Sequence, residues 1–191
     1  PGESHLKQAK RILRYLAGTQ ALGNTYTKQA REAGQGITLT GWSDADYGSC
    51  IDTRRSTSAY VFKLMGGPIS WSSKRQSTTA LSSTNAEYVS LTAAAQEAIH
   101  LRNLLRDLGF PQHQPTVIHG DNTASIAVAE TPNYRGKLKH LDVRHHFIRE
   151  AIHQGFVTLE YKSSKNMIAD ILTKPTHAPH FITMRQAIGV T

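Results

Sequence analysis

Four acidic residues stand where a fold can bring them together: Asp44, Glu87, Asp121 and Asp170. Each has an ordinary structural use. Ser43-Asp44-Ala45-Asp46 is good turn chemistry, and Thr84-Asn85-Ala86-Glu87 spells a capping box. Asp121 precedes a helical stretch, where Asp is a favoured N-cap, and Asp170 can pair with Lys174 one turn along a helix. Taken together they suggest more. Asp44 and Asp121 close strand patterns, Glu87 extends a helical apolar stripe four residues back from Leu91, and Asp170 lies in a last short helix. Carboxylates gathered at one sheet edge repel one another and raise each other's pKa unless a cation offsets them. Hard oxygen ligands select Mg²⁺ or Mn²⁺ over zinc. Two such ions roughly 4 Å apart activate a water and stabilise the leaving oxygen of a phosphodiester. That is nuclease chemistry.

The elements that would position these residues can be read from periodicity. Ser4 caps a helix to Leu16, with Leu6, Ala9, Leu13 and Leu16 on one stripe and Lys7, Lys10, Arg11 and Arg14 over much of the rest. Residues 18–36 are rich in Gly, Thr, Gln and Asn and read as a linker, with a short strand near Tyr26. From Ile37 the period becomes two, giving strands over 37–44, 57–65 and 69–74, the last two joined by the Gly66-Gly67-Pro68 turn. A helix over 84–108 follows, with Leu91, Ala94, Ala98, Leu101, Leu105 and Leu108 as its stripe. Then come a strand at 116–119, helices at 122–130 and 138–153, a strand at 156–161 and a helix at 166–173. Early hairpins followed by crossovers predict an α/β fold: a mixed five-stranded sheet, three antiparallel strands then parallel additions, flanked by helices.

Composition narrows the class. The chain has 191 residues, 39% of them hydrophobic, and its longest uninterrupted apolar runs, at 59–62 and 126–129, are four residues. A membrane helix needs about 20, so neither a membrane span nor a disordered chain is expected. The chain opens on Pro1 with no signal-peptide pattern and reads as a piece of something longer. One cysteine, Cys50, excludes an intramolecular disulfide and a cysteine zinc cage, and fits a reducing compartment. The net charge of +8 favours a polyanionic partner. Residues 1–36 carry 6 basic and 2 acidic side chains, half the excess.

The remaining features admit two readings each. Ten histidines invite zinc, yet no His-Glu-x-x-His pattern occurs, and His145 falls on the apolar stripe of its helix. Trp71, Lys74 and Arg75 are either a core aromatic with a solvated strand end or a nucleic-acid contact joined by Ser70, Ser72 and Ser73. Lys139, His146, Arg149 and His153 recur along the polar side of the 138–153 helix, as a solvated face or a phosphate-binding one.

Seven ordered stretches carry a resemblance: GWSDADYG (41–48), STSAYVF (56–62), ISWSSKRQ (69–76), SSTNAEY (82–88), HGDNTASI (119–126), KHLDVRHHFIRE (139–150) and ADILTKP (169–175). Across most of 37–175 the chain resembles the ribonuclease H domain of copia-type LTR-retrotransposon polyproteins, and HLKQAKRILRYLAGT (5–19) resembles the end of the preceding reverse transcriptase. The resemblance implies a ribonuclease H-like fold over 37–175, a reverse-transcriptase remnant over 1–36 and a helical tail over 176–191. It implies that Asp44, Glu87, Asp121 and Asp170 are the catalytic and metal-binding set for two Mg²⁺ ions, with Mn²⁺ as substitute and no small-molecule cofactor. Glu87 before Asp121, and Asp170 at the end, distinguish the set from that of integrases. The implied activity is hydrolysis of the RNA strand of RNA–DNA hybrids, with the hybrid and the reverse transcriptase as partners, in the cytoplasm within a virus-like particle or in the nucleus. The expected nucleic-acid contacts are Ser73, Lys74, Arg75, Asn85, Asn122, Lys139, His146 and Arg149, with groups at 43–47 and 82–85 reading the sugar. One departure stands out: residues 161–169 contain no histidine where many cellular ribonucleases H have one before the final aspartate. The alternative is a non-catalytic nucleic-acid-binding or connection module of the same fold.

Overall fold

The computed structural model describes residues 2–27, 37–131 and 142–191, and of residues 142–146 the backbone alone. The period-two segment becomes three antiparallel strands, β1 (Thr40–Asp46), β2 (Thr57–Leu64) and β3 (Gly67–Arg75). Met65 and Gly66 make the β2–β3 turn, both at positive φ (51° and 82°). That conformation matches the right-handed twist of the flanking strands. The turn therefore sits one residue earlier than the Gly66-Gly67-Pro68 expectation. Parallel strands need a crossover, and two helical connections bring β4 (Thr116–Gly120) beside β1 and β5 (Val157–Tyr161) beside β4. The sheet order is β3-β2-β1-β4-β5, the mixed sheet expected.

Helix α2 (Ser83–Asp107) covers one face. Its stripe of Leu91, Ala94, Ala98, Leu101 and Leu105 packs with Leu39, Phe62, Ile118, Val157 and Leu159. Leu108, expected on that stripe, is exposed, because the helix ends at Asp107 and Leu108 is its C-cap. Helices α3 (Thr123–Glu130) and α4 (Asp142–His153) lie beside α2 on this side, contributing Ile126, Val128, Ala129, Ile148 and Ala151 to the same core. The other face is covered by α5 (Asp170–Thr173) and α6 (Ala178–Ile188), where Met167, Ile168, Ala169, Met184 and Ile188 pack on Val61.

Helix α1 (Glu3–Gly18) starts from Gly2 and not Ser4, and buries no residue; Leu6, Ile12, Leu13 and Leu16 are exposed. The stretch after it is tied down. Gly23 and Thr191 exchange both backbone hydrogen bonds, Thr25 N–H donates to Gly189 O, and the Tyr26 hydroxyl donates to Pro68 O at 2.7 Å. Residues 23–27 thus lie between the C-terminal residues and the β2–β3 turn. Among the described residues no helix is long and apolar enough to cross a membrane.

Candidate active site

Strand alternation places Asp44 on the α5 face of β1, two residues from Trp42. Its neighbour Ser43 points to α2, donating to Ser90 Oγ at 2.9 Å. Ser43 is fully buried there, so it is not one of the groups that can read a sugar. Glu87 lies in the second turn of α2. The cap is Ser82, whose side chain accepts from the N–H of Asn85 at 3.1 Å. The capping box expected at 84–87 does not form, and Glu87 is left for the site. The same shift occurs at Asp121: Asn122 caps α3, accepting from Ser125 N–H at 2.9 Å. Asp121 instead accepts from Ser164 Oγ at 2.7 Å.

These placements bring carboxylate oxygens of Asp44, Glu87 and Asp121 within 4.8 Å of one another. Asp170, at the start of α5, is close by but engaged: its Oδ2 lies 3.0 Å from Lys174 Nζ, the i,i+4 pair expected. Its Oδ1 is buried without a hydrogen-bond partner. Asp44 is 1% exposed and accepts from Thr173 Oγ1. Burial pushes its carboxyl up to about 6, with the Thr173 hydrogen bond opposing and Asp170 adding to the rise. Glu87, 6% exposed, is pushed up to about 9 by burial first and then by the charges of Asp44 and Asp121. Burial opposes the charge on Lys174, but the carboxylates of Asp44, Asp170 and Asp121 outweigh it and raise its pKa.

The expected nucleic-acid contacts separate into groups. Ser73 shares a register row with Ala59 and Asp44, two strands away, and donates to Leu172 O at 2.6 Å. Lys74 and Arg75 follow it, exposed, at the carboxylate end of edge strand β3; Arg75 donates to Cys50 Sγ at 3.2 Å. Trp71 is 58% exposed, so it is not a core aromatic. Asn85 is buried beside Glu87, and the Asn122 side chain is used as a cap. Lys139 lies outside the described residues, as does the side chain of His146. Arg149 donates through Nε and Nη2 to Val128 O, at 3.3 and 3.0 Å, tying α4 to the last turn of α3. Arg149→Ala should therefore lower stability by about 2 kcal/mol, read as a drop in the urea midpoint at unchanged m-value; an unchanged midpoint would return the side chain to solvent.

Ser164 and Thr173 were not among the expected site residues. Thr173 stands three residues after Asp170, a helical spacing that could have revealed it, whereas Ser164 reaches Asp121 only through the β4–β5 pairing. A cleft of about 300 Å³ lined by Ile37, Phe110, Gln112 and Pro115 opens at the opposite end of β1 and takes no part in this site.

The fold is similar to the N-terminal RNase H domain of rv2228c from Mycobacterium tuberculosis, with a TM-score of 0.54 and 13% identity, covering 80% of this chain and 99% of that one. LC11-RNase H1, solved in complex with an RNA/DNA hybrid, aligns with a TM-score of 0.52 and 16% identity, covering 71% of this chain and 94% of its own. In sequence, the chain is 38% identical over 191 residues to the retrovirus-related Pol polyprotein from transposon RE1 of Arabidopsis thaliana. It is 35% identical over 190 residues to that from transposon TNT 1-94 of Nicotiana tabacum. Over its whole length the chain is thus similar to copia-type retrovirus-related Pol polyproteins. The chain has the ribonuclease H-like fold and spans 13% and 14% of the length of those two relatives. No family model matches it.

Proposed function

We propose that this chain is a metal-dependent endoribonuclease that hydrolyses the RNA strand of RNA–DNA hybrids during retrotransposon reverse transcription. The observation that carries the reading is the approach of Asp44, Glu87 and Asp121 oxygens to within 4.8 Å of one another. The unpartnered, buried Oδ1 of Asp170 beside them supports it. A carboxylate-only donor set suits a hard divalent cation, and a buried cluster of this kind is costly without one. Asp44, Glu87, Asp121 and Asp170 would hold Mg²⁺, as a pair of ions, with Mn²⁺ as substitute. When bound, such cations would supply Lewis-acid chemistry, lowering the pKa of a water and stabilising a leaving phosphate oxygen.

The protein's own part is orientation and binding. Thr173 fixes the Asp44 carboxylate and Ser164 that of Asp121, so two ligand groups are aimed before any substrate arrives. Lys74 and Arg75 stand about 10 Å across the sheet from Asp44, two strand spacings, where one backbone of a duplex can meet their charges while the other reaches the carboxylates. We assign this role to the unit over 37–175, with the reverse transcriptase of the same polyprotein as its partner. That a ribonuclease H1 of similar fold was solved with an RNA/DNA hybrid supports the substrate class.

The test is cleavage of an end-labelled hybrid. Mg²⁺ and Mn²⁺ should support cutting of the RNA strand, while Ca²⁺, which takes more and longer oxygen contacts, should inhibit. Because the 2′-OH distinguishes RNA from DNA, 2′-O-methyl groups at the cut site should block the reaction. Turnover in EDTA or Ca²⁺ alone, or equal cutting of a DNA duplex, would overturn the proposal. Hybrid binding without cutting in any metal would identify a non-catalytic module.

A further inference from the structure

One short stretch of chain donates to three of the four carboxylates. Ser164 Oγ reaches Asp121 Oδ2 at 2.7 Å, Thr173 Oγ1 reaches Asp44 Oδ2, and Lys174 Nζ lies 3.0 Å from Asp170 Oδ2. The three donors differ in kind. Two are neutral hydroxyls, which orient an acceptor without contributing charge. The third is a cation whose side chain is 37% exposed and whose partner carboxylate is 7% exposed. The ammonium therefore reaches from the rim into the acidic centre. Its backbone is fixed as well, because Lys174 is the C-cap of α5 and its N–H donates to Asp170 O at 3.1 Å.

Asp170 is thereby divided. One oxygen is paired with Lys174, the other is buried with no partner, and neither belongs to the group of oxygens from Asp44, Glu87 and Asp121 that converge within 4.8 Å. A carboxylate in this state has an open ligand position and a monovalent cation on its other oxygen. We propose that Lys174 is the internal counter-ion of the metal-free centre: it holds Asp170 apart from the other three carboxylates and competes with the divalent cation for that residue. The proposal rests on the metal-dependent reading above and extends it to a residue that positions a ligand.

The physical argument is one of charge competition. A unit positive charge a few ångströms from a divalent cation disfavours it, more strongly in a partly desolvated site than in water. Removing the ammonium should thus tighten metal binding. The same removal leaves Asp170 as a buried charge with no partner, which destabilises the metal-free protein. An ordinary structural ion pair predicts only the second effect. Two effects of opposite sign in one variant identify a counter-ion.

The experiment uses the full chain in wild-type form and as Lys174→Met, Lys174→Gln and Lys174→Arg. Mn²⁺ is titrated by calorimetry at one pH, and thermal unfolding is followed in chelator and in Mn²⁺. Lys174→Met should bind Mn²⁺ about tenfold more tightly than wild type and melt at a lower temperature in chelator. Lys174→Gln, which keeps a donor to Asp170 but loses the charge, should shift the affinity in the same direction and covers the case in which the methionine variant fails to fold. Lys174→Arg should restore wild-type affinity to within about twofold. The Mn²⁺ concentration for half-maximal hybrid cleavage should fall in the two neutral variants and stay put in the arginine one. Unchanged or weaker Mn²⁺ binding in both neutral variants, with normal binding by wild type, would reject the role of Lys174 alone. Folded wild-type protein that takes up no Mn²⁺ would reject the metal reading itself and this inference with it.

Discussion

Asp121→Asn should reduce hybrid cleavage by more than the roughly 10–100-fold that loss of an outer partner of a metal ligand costs. Asparagine keeps the shape of the side chain and can still accept the Ser164 hydrogen bond, so the loop after β5 has no reason to move. The variant lacks the charge. Asp121 is one of the groups raising Glu87 and Asp44, so removing it relieves repulsion in the metal-free centre. The melting temperature in chelator should accordingly stay level or rise while activity collapses, and the gain from added Mg²⁺ should shrink. Single-turnover cleavage and thermal unfolding on the same preparation separate the two effects. Wild-type rates from folded Asp121→Asn protein would remove Asp121 from the chemistry.

In chelator, the stability of wild-type protein should fall as pH rises from about 5 to 9, with Glu87 the largest contributor. The direction follows from linkage. Glu87 titrates near 9 in the folded state and near 4.5 unfolded, so between those values the folded state holds a proton that the unfolded state has released. Stability then declines with pH across that window, by several kcal/mol at most, and levels off above it. Asp44 acts in the same sense up to about pH 6. Two groups tilt the other way. Burial lowers His119 below its usual value, and hydrogen bonds from Thr53 and Arg75 lower Cys50 to about 7. Urea unfolding of wild type and Glu87→Gln at pH 5, 7 and 9 isolates the carboxyl: the difference between the two proteins should widen steadily with pH, in favour of the glutamine variant. Saturating Mg²⁺ should reverse that trend, since cation binding favours the ionised carboxyl and releases its proton. Parallel pH profiles in chelator would show that Glu87 is ionised in the folded protein.

The parts of this molecule that could be read from sequence are those where one local rule decides. The five strands, their mixed arrangement and most of the α2 stripe follow from period-two and period-3.6 apolar patterns and the order of hairpins and crossovers, and the strand ends carry Asp44 and Asp121 into view; the order of the strands in the sheet comes from the structure. Competition between neighbouring side chains for one role was harder to read. Ser82 or Thr84 could cap α2, and Asp121 or Asn122 could cap α3; each choice was settled by backbone geometry at the helix entry. Because Ser82 and Asn122 take the caps, Glu87 and Asp121 are left for the centre. Arg149 illustrates a different limit. Its position on a polar helix face suggested phosphate, but the packing of α4 against α3 places a backbone carbonyl within reach, and only tertiary structure supplies that partner. Ser164 likewise meets Asp121 from the end of the neighbouring strand, at a sequence distance that no periodicity spans.

The tie between residues 23–27, the last residues of the chain and the β2–β3 turn has a mechanical consequence. It lies at the far end of β2 and β3 from Asp44, since β2 runs away from its Thr57 end, which pairs with Asp46, toward that turn. Force applied through α1 therefore meets an anchor made of paired backbone at Gly23 and Thr191, together with the Tyr26–Pro68 hydrogen bond, before it can load the start of β1. The anchor takes up that load at one pole of the sheet, and the carboxylates stand at the other.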